Sequence, residues 1–210
     1  TLLDFVEKRC RVWNIDPSHP LLPSVPTYSV MFNSQVAKDF VSAHGPAKVV
    51  TANNVLAHVD DVQDFLKGVR HLLADDGTFI FEVHWVKDLV DRTGYDQVYH
   101  EHLCYFSLGS LDTILKDAGL EIYDAQIVQN HGQSLRVKAD KVRPECVKGA
   151  TPGYYDIFKA ELVSGLNQVA TYTAFATRAR AHRDLLRDLL YDLRDCGARV
   201  VGYGAPAKGS

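Results

Sequence analysis

The sequence predicts a layered α/β fold, then a long helical segment and the start of a second Rossmann-like domain. Short apolar runs alternate with amphipathic stretches over residues 12–140, the order typical of strands and helices packed in layers. An Ala-, Leu- and Arg-rich helical pattern extends from Tyr154 to Cys196, and the glycine turn after it resembles the beginning of a nucleotide-binding βα unit. We expect a core at 1–140, a linker at 141–153 and a truncated second domain at 154–210.

The first half of the core contains short strands and two capped helices. We expect strands over Val12–Asp16 and Thr27–Phe32, separated by a proline-rich stretch. Asn33 or Ser34 can cap the helix SQVAKDFVSAH, which Gly45 stops before the buried strand AKVVTANN. Asp60 or Asp61 can cap the helix DVQDFLKGVRHLL.

The second half completes the sheet. Asp75-Asp76-Gly77 predicts a turn into the strand TFIFEVHW, and a helix is expected around VKDLVDR. Ser110 is expected to cap LDTILKDAG, and LEIYDAQIV and SLRVKAD to form the last two strands. The long helical pattern has a candidate break at Gly165, and Ala198–Tyr203 is expected to be a strand.

Composition limits the classes of partner. The chain has 210 residues, 46% of them hydrophobic, and a formal net charge of −3, so it can bury a core but has no basic face for nucleic acid. No apolar run is long enough to span a membrane, and we expect a cytoplasmic protein. The four cysteines form no closely spaced pair, so we expect them to be reduced and not to bind zinc.

Polar residues end two predicted strands. Asp16 and the pair Asn53-Asn54 are expected to face one crevice, because ligands bind at the carboxyl ends of strands in a doubly wound sheet. The Asp16 carboxylate can accept both hydroxyls of a ribose. The alternative is that Asp16 caps a local turn before Pro17.

The most chemically dense segment is YDQVYHEHLCYFS, residues 95–107. Tyr99, Glu101 and His102 offer groups that can hold an oxygen or move a proton near neutral pH, and His58 is expected near the same crevice. The alternatives are a polar loop whose groups satisfy one another, and a structural role for His58. A zinc site is disfavoured because neighbours on an extended segment point to opposite sides.

Two further groups can bind anions. His131, Ser134 and Arg136 surround a glycine turn that enters a strand, and Arg136 can hold a phosphate or carboxylate with paired donors, although a strand arginine is often an ion-paired surface residue. Tyr203 and Lys208 lie in the glycine-bounded turn near the end of the chain, where a lysine suits an anionic group.

Four strings in order, TANNVLAHV, YDQVYHEHLCYFS, NHGQSLRV and RVVGYGAPAKG, resemble the S-adenosylmethionine-dependent C-methyltransferases of nucleotide-linked deoxysugars. The resemblance spans nearly the whole chain. It implies a Rossmann-like class I methyltransferase core, S-adenosylmethionine as cofactor, and methyl transfer to the carbon next to a 4-keto group, commonly C-3. It also implies that a zinc-binding region, the first strand of the core and most of the last domain lie outside this chain, so that the fragment alone is expected to be inactive.

The resemblance implies roles for individual residues. His102 is expected to be the base, Glu101 to orient an imidazole or bind the sugar, and Tyr99 and His58 to donate to the keto oxygen or a hydroxyl. Asp16, Asn53 and Asn54 are the candidate cofactor ligands; the candidate ligands of the sugar nucleotide are His131, Ser134, Arg136, Tyr203 and Lys208.

Two departures affect the pocket. The prolines after Asp16 replace a helix, and His84 stands where the family more often has proline. Two other functions stay open: an O- or N-methyltransferase that acts on another small molecule, and a nucleotide-sugar binding module without methyl transfer. The oligomeric state cannot be predicted.

Overall fold

The computed structural model describes residues 7–18, 25–130, 132–143, 149–202 and 204 and has an α/β architecture. The strands are β1 (Asn14–Ile15), β2 (Thr27–Tyr28), β3 (Ala47–Asn53), β4 (Leu73–His84), β5 (Leu120–Gln129) and β6 (Gln133–Lys141). The helices are α1 (Ser34–His44), α2 (Val62–Leu72), α3 (Val86–Asp91), α4 (Leu108–Asp117), α5 (Pro152–Val163) and α6 (Val169–Asp195). Two 3₁₀ turns cover Leu56–His58 and Tyr95–Gln97.

Four strands form the main sheet in the order β3-β4-β6-β5. Strands β3 and β4 are parallel and joined through α2, as in a βαβ unit, whereas β6 runs antiparallel to both β4 and β5. The pair β1-β2 forms a separate parallel sheet, and both strands are shorter than predicted, with two residues each. The sheet is therefore mixed.

The core lies between the main sheet and its helices. Phe79 and Phe81 of β4 are fully buried and stack with ring centroids 4.6 Å apart. They belong to one apolar cluster with residues of α2, α4, α5 and the neighbouring strands. A smaller cluster, which includes Ala37, Phe40 and Leu72, contacts β1 through partly buried side chains.

The helix caps agree with most of the expectations. The Asn33 side chain accepts a hydrogen bond from Val36 N at 2.9 Å, and Asp61 accepts from Asp64 N at 2.9 Å. The prediction of Ser110 as a cap was wrong: Ser107 is the N-cap of α4, and the two serines form a reciprocal capping box. A serine at the third helical position is thus the partner of the cap.

Three strand predictions need correction. Strand β3 is not buried, because it lies at the sheet edge, and Val49 is 56% exposed. The turn expected at Asp75-Asp76-Gly77 lies inside β4 as an irregularity in its pairing with β3, which resumes at Thr78. Residues 198–202 form no strand, because a strand requires a hydrogen-bonded neighbour and the described part of the chain supplies none there.

The long helical pattern breaks at Gly165, as the sequence predicts. Helix α5 ends at Val163 and α6 begins at Val169, with Gly165 between them at φ 67°, a conformation that glycine adopts readily. Helix α5 is attached to the core by Glu161, which is buried. Its carboxylate accepts from the Trp85 indole at 2.7 Å and from the backbone N–H groups of Leu108 and Gly109 at 2.6 and 3.0 Å.

Candidate functional site

The segment between α3 and α4, residues 92–107, is called the site loop below. Its centre is a turn in which His102 N donates to Tyr99 O at 3.0 Å, so the segment is not extended as predicted. Backbone donation from Leu103 N to Ala57 O at 2.8 Å attaches the site loop to the 3₁₀ turn that carries His58. Two distant parts of the sequence therefore meet here.

His102 is held in one orientation by the loop's own backbone. Its Nδ1 lies 2.9 Å from the carbonyl oxygen of Gln97, which can only accept a hydrogen bond. The proton of a neutral imidazole is therefore on Nδ1, and the basic lone pair is on Nε2. The ring is half-buried, and its centroid lies 4.5 Å from that of Tyr99.

His58 has the same arrangement. Its Nδ1 lies 2.7 Å from the carbonyl oxygen of Glu101, which places the Nε2 lone pair of the neutral ring away from this contact. The centroids of His58 and His102 are 5.0 Å apart. The structure thus brings together the two histidines that the sequence separates by more than forty positions.

Tyr99 remains a protonated phenol at neutral pH. Partial burial, then the charge of the Glu101 carboxylate and its hydrogen bond with the phenol, raise the pKa of Tyr99 above its usual value. Glu101 thus orients Tyr99 through its side chain and His58 through its backbone carbonyl. Orienting an imidazole is one of the two roles that the family resemblance implies for Glu101; binding the sugar is the other.

Polar residues stand at the carboxyl ends of β3 and β4, where Asn53 pairs with Glu82. Asn53 and Asn54 are exposed, and Asn54 has φ 55°, in the left-handed region that asparagine tolerates. Asn54 N donates to the backbone carbonyl of Glu82 at 2.9 Å. The side chain of Glu82 is buried and accepts from Arg136 Nε at 2.7 Å and Nη2 at 2.6 Å.

Asp16 directly follows β1. Its Oδ1 accepts from the backbone N–H and the hydroxyl of Ser18 at 2.8 and 2.6 Å, which is the local turn considered as the alternative. The carboxylate has a second oxygen, Oδ2, that a ribose hydroxyl could use. Because β1 and β3 lie in different sheets, the crevice shared by Asp16 with Asn53-Asn54 stays a prediction.

The remaining candidates differ in accessibility. Arg136 keeps 44% of its side chain exposed, but Ser134 is 1% exposed and its hydroxyl donates to the Asn130 carbonyl at 3.0 Å. Three predicted ligands of the sugar nucleotide lie outside the described residues: His131, Tyr203 and Lys208. Within the described ranges, no three His, Cys, Asp or Glu side chains come together as a metal site.

Sequence reasoning missed two residues of this region. Gln97 acts through its backbone carbonyl, so its side-chain type carries no signal. Glu82 is the buried partner of Arg136, and its position at the end of a strongly apolar strand, next to the polar end of β3, is a signal that could have been used.

Comparison with known proteins places the chain in a family. Residues 1–125 match the methyltransferase domain family, and residues 129–210 match the C-methyltransferase C-terminal domain family. C-methyltransferase NovU of Streptomyces niveus is 34% identical over 205 residues, which cover 95% of this chain. The chain belongs to the methyltransferase domain family. It spans 48% of NovU, about half of that relative's length.

A solved structure of a methyltransferase complex agrees with the fold. A chain from a complex of the Haloferax volcanii Trm112 methyltransferase activator with a methyltransferase matches with a TM-score of 0.50 and 10% identity, over 67% of this chain and 77% of its own. The 1,6-didemethyltoxoflavin-N1-methyltransferase of Burkholderia thailandensis, solved with S-adenosylhomocysteine, matches with a TM-score of 0.48 and 18% identity, over 68% of this chain and 66% of its own. No helix in the described part is both long and apolar enough to cross a membrane.

Proposed function

We propose that the protein containing this chain is an S-adenosylmethionine-dependent C-methyltransferase. Its proposed substrate is a nucleotide-linked 4-keto-deoxysugar, methylated at the carbon next to the ketone, C-3. The match of residues 129–210 to the C-methyltransferase C-terminal domain family and the similarity to NovU support carbon methylation, and the four ordered motifs support the sugar substrate. The observation that carries the proposal is the pairing of a fixed imidazole, His102, with a protonated phenol, Tyr99.

Carbon methylation next to a ketone requires a base. The lone pair of His102 Nε2 takes the C-3 proton, and the electrons of the C–H bond move into an enolate whose oxygen was the ketone. The Gln97 carbonyl stabilises the imidazolium that forms, since it accepts from Nδ1–H. S-adenosylmethionine, when bound, would supply the electrophilic methyl group for the enolate carbon, and S-adenosylhomocysteine would be the leaving group.

Tyr99 and His58, which lie beside His102, would bind the oxygen atoms of the substrate. Tyr99 is a hydrogen-bond donor and suits the oxygen on which negative charge develops. Because Nδ1–H of His58 is directed at the Glu101 carbonyl, the neutral His58 ring offers an acceptor, which suits a sugar hydroxyl. The family resemblance suggests that His58 donates to the keto oxygen or to a hydroxyl; because its Nδ1–H is engaged, the neutral ring would instead accept from a sugar hydroxyl.

The residues present fit the cofactor by their chemistry. Asp16 would hold the ribose of S-adenosylmethionine, while the exposed amides of Asn53 and Asn54 would contact its polar groups. Arg136, oriented by two hydrogen bonds to Glu82, would direct its remaining N–H groups to the anionic part of the nucleotide.

The proposal is tested by product analysis with the full gene product, because this chain covers about half of its relative. The enzyme is supplied with S-adenosylmethionine and a nucleotide-linked 4-keto-deoxysugar, and the product is examined by NMR. A new C–CH₃ group supports the proposal. An OCH₃ or NCH₃ group would show the alternative reaction, and calorimetry that detects the sugar nucleotide but not S-adenosylmethionine would show a binding module.

A further inference from the structure

Helices α5 and α6 hold both ends of the site loop. At its C-terminal end, Glu161 of α5 binds the first N–H groups of α4. At its N-terminal end, Arg178 of α6 donates from Nη2 to the Val90 carbonyl at 2.6 Å and from Nε to the Thr93 hydroxyl at 3.0 Å. Residues matched by the C-terminal domain family thus contact the segment that carries His102.

A second contact from α6 reaches further into the site loop. The Tyr95 hydroxyl and His182 Nδ1 are 2.8 Å apart, and the two ring centroids are separated by 5.7 Å. Arg178 and His182 are one helical turn apart, so they present their side chains to the same surface. Together they bind Val90, Thr93 and Tyr95.

Besides these side-chain contacts, backbone hydrogen bonds hold the bound part of the site loop: Thr93 N donates to the Val90 carbonyl at 3.3 Å and Gly94 N to the Leu89 carbonyl at 2.8 Å. None of the residues from Gly94 to Tyr105, all of them described, is buried. Thr93 has φ 55°, a conformation that is costly for a β-branched residue. The Arg178 guanidinium binds the Val90 carbonyl in the last turn of α3 and the Thr93 hydroxyl, and so adds two side-chain hydrogen bonds to the backbone bonds of this turn.

The contact reaches His102 through one turn of backbone. Tyr95 and Gln97 are the first and last residues of a single 3₁₀ turn. The Gln97 carbonyl accepts from His102 Nδ1 at 2.9 Å and from the Tyr105 hydroxyl at 3.3 Å. A displacement of Tyr95 therefore moves the acceptor that fixes the tautomer and the orientation of His102.

We propose that Arg178, supported by the His182–Tyr95 contact, is a positioning residue for His102. The inference rests on the proposed function only for the reaction that His102 catalyses. Arg178 does not contact the reacting atoms. It holds the Tyr95–Gln97 turn, so that the Nδ1–H of His102 stays bonded to the Gln97 carbonyl and Nε2 keeps the lone pair.

The test compares Arg178→Ala with Arg180→Ala in the full gene product. Arg180 lies on the same helix, is exposed and gives the same charge change, which makes it a matched control. Two milder variants, Arg178→Lys and Tyr95→Phe, cover the case in which Arg178→Ala does not fold. The readouts are the histidine ¹⁵N NMR spectrum without substrate, and kcat and KM for methyl transfer.

In Arg178→Ala we expect His102 to lose its single Nδ1–H tautomer and kcat to fall about tenfold or more, because small displacements of a catalytic group are costly. KM for S-adenosylmethionine should stay unchanged. Tyr95→Phe should give a smaller change in the same direction, and Arg180→Ala none. The inference is overturned if His102 keeps its tautomer in Arg178→Ala, or if only KM or the melting temperature changes.

Failure of the proposed function can be distinguished from failure of this inference. In that case the wild-type protein gives no C-methylated product, while the ¹⁵N spectrum still reports whether Arg178 controls the His102 tautomer. A protein with product but an unchanged His102 spectrum in the folded variants would contradict the inference alone.

Discussion

The main sheet and the site loop are held together by different forces. In the sheet, β4 and β6 pair in continuous register from Thr78↔Asp140 to His84↔Ser134, above a core that contains Phe79 and Phe81. In the site loop, none of the described residues 94–105 is buried, and hydrogen bonds to backbone carbonyls fix the histidines. Apolar packing therefore supplies the stability, whereas the reacting groups depend on a few polar contacts that can change without global unfolding.

The largest expected effect lies in the sheet. Phe81 is fully buried, so Phe81→Ala should lower the free energy of unfolding by about 3–5 kcal/mol through lost transfer energy and a cavity. Chemical denaturation measures this loss. Val49→Ala, on the exposed edge strand, is the control and should change stability little. A loss below about 1 kcal/mol for Phe81→Ala would mean that the core does not depend on the sheet packing described.

Glu161 connects the core of the main sheet to the end of the site loop, and a substitution there tests this connection. Glu161→Ala leaves the Trp85 indole and two backbone N–H groups without their buried acceptor, so we expect a loss of about 2–3 kcal/mol in the free energy of unfolding. Asp156→Ala removes an exposed acid from the same helix and serves as the control. If both variants had equal stability, α5 would not be attached through this carboxylate.

Alkaline pH should lower the stability of the protein by a smaller amount, through Tyr154, which packs against the core of the main sheet. Burial, with the nearby Asp112 carboxylate, raises the pKa of Tyr154 to about 12 from a usual value of 10.0. Because the folded state holds this proton more tightly, the stabilisation is complete below pH 10 and is lost as the pH rises toward 12. Melting temperatures over that interval should fall less steeply in Tyr154→Phe than in the wild type. Equal slopes would contradict the assignment.

The sequence predicted those elements whose local signals agree with their packing. Asn33 and Asp61 cap helices because their side chains reach backbone N–H groups three residues later, an interaction that needs no distant partner. The break at Gly165 is also local, since a positive φ favours glycine. The edge position of β3 depends on strand order, which the pattern of AKVVTANN does not contain.

The candidate site shows the same division. The cluster from Tyr99 to His102 could be found from its residue types. The Nδ1 contacts of His58 and His102 could not, because both acceptors are backbone carbonyls supplied by a turn whose shape depends on long-range contacts. Likewise, Arg136 was noticed as a cation, but its orientation requires Glu82, which is 54 residues away.

The central claim is that His102 removes the proton next to the ketone. The most direct measurement is the exchange of that C–H with solvent deuterium, catalysed by the full gene product, for the wild type, His102→Ala and His100→Ala. His100 is an exposed histidine in the same turn and is the matched control. We expect exchange to fall about 10²–10⁴-fold in His102→Ala and to stay unchanged in His100→Ala. Exchange at the wild-type rate in His102→Ala would contradict the account.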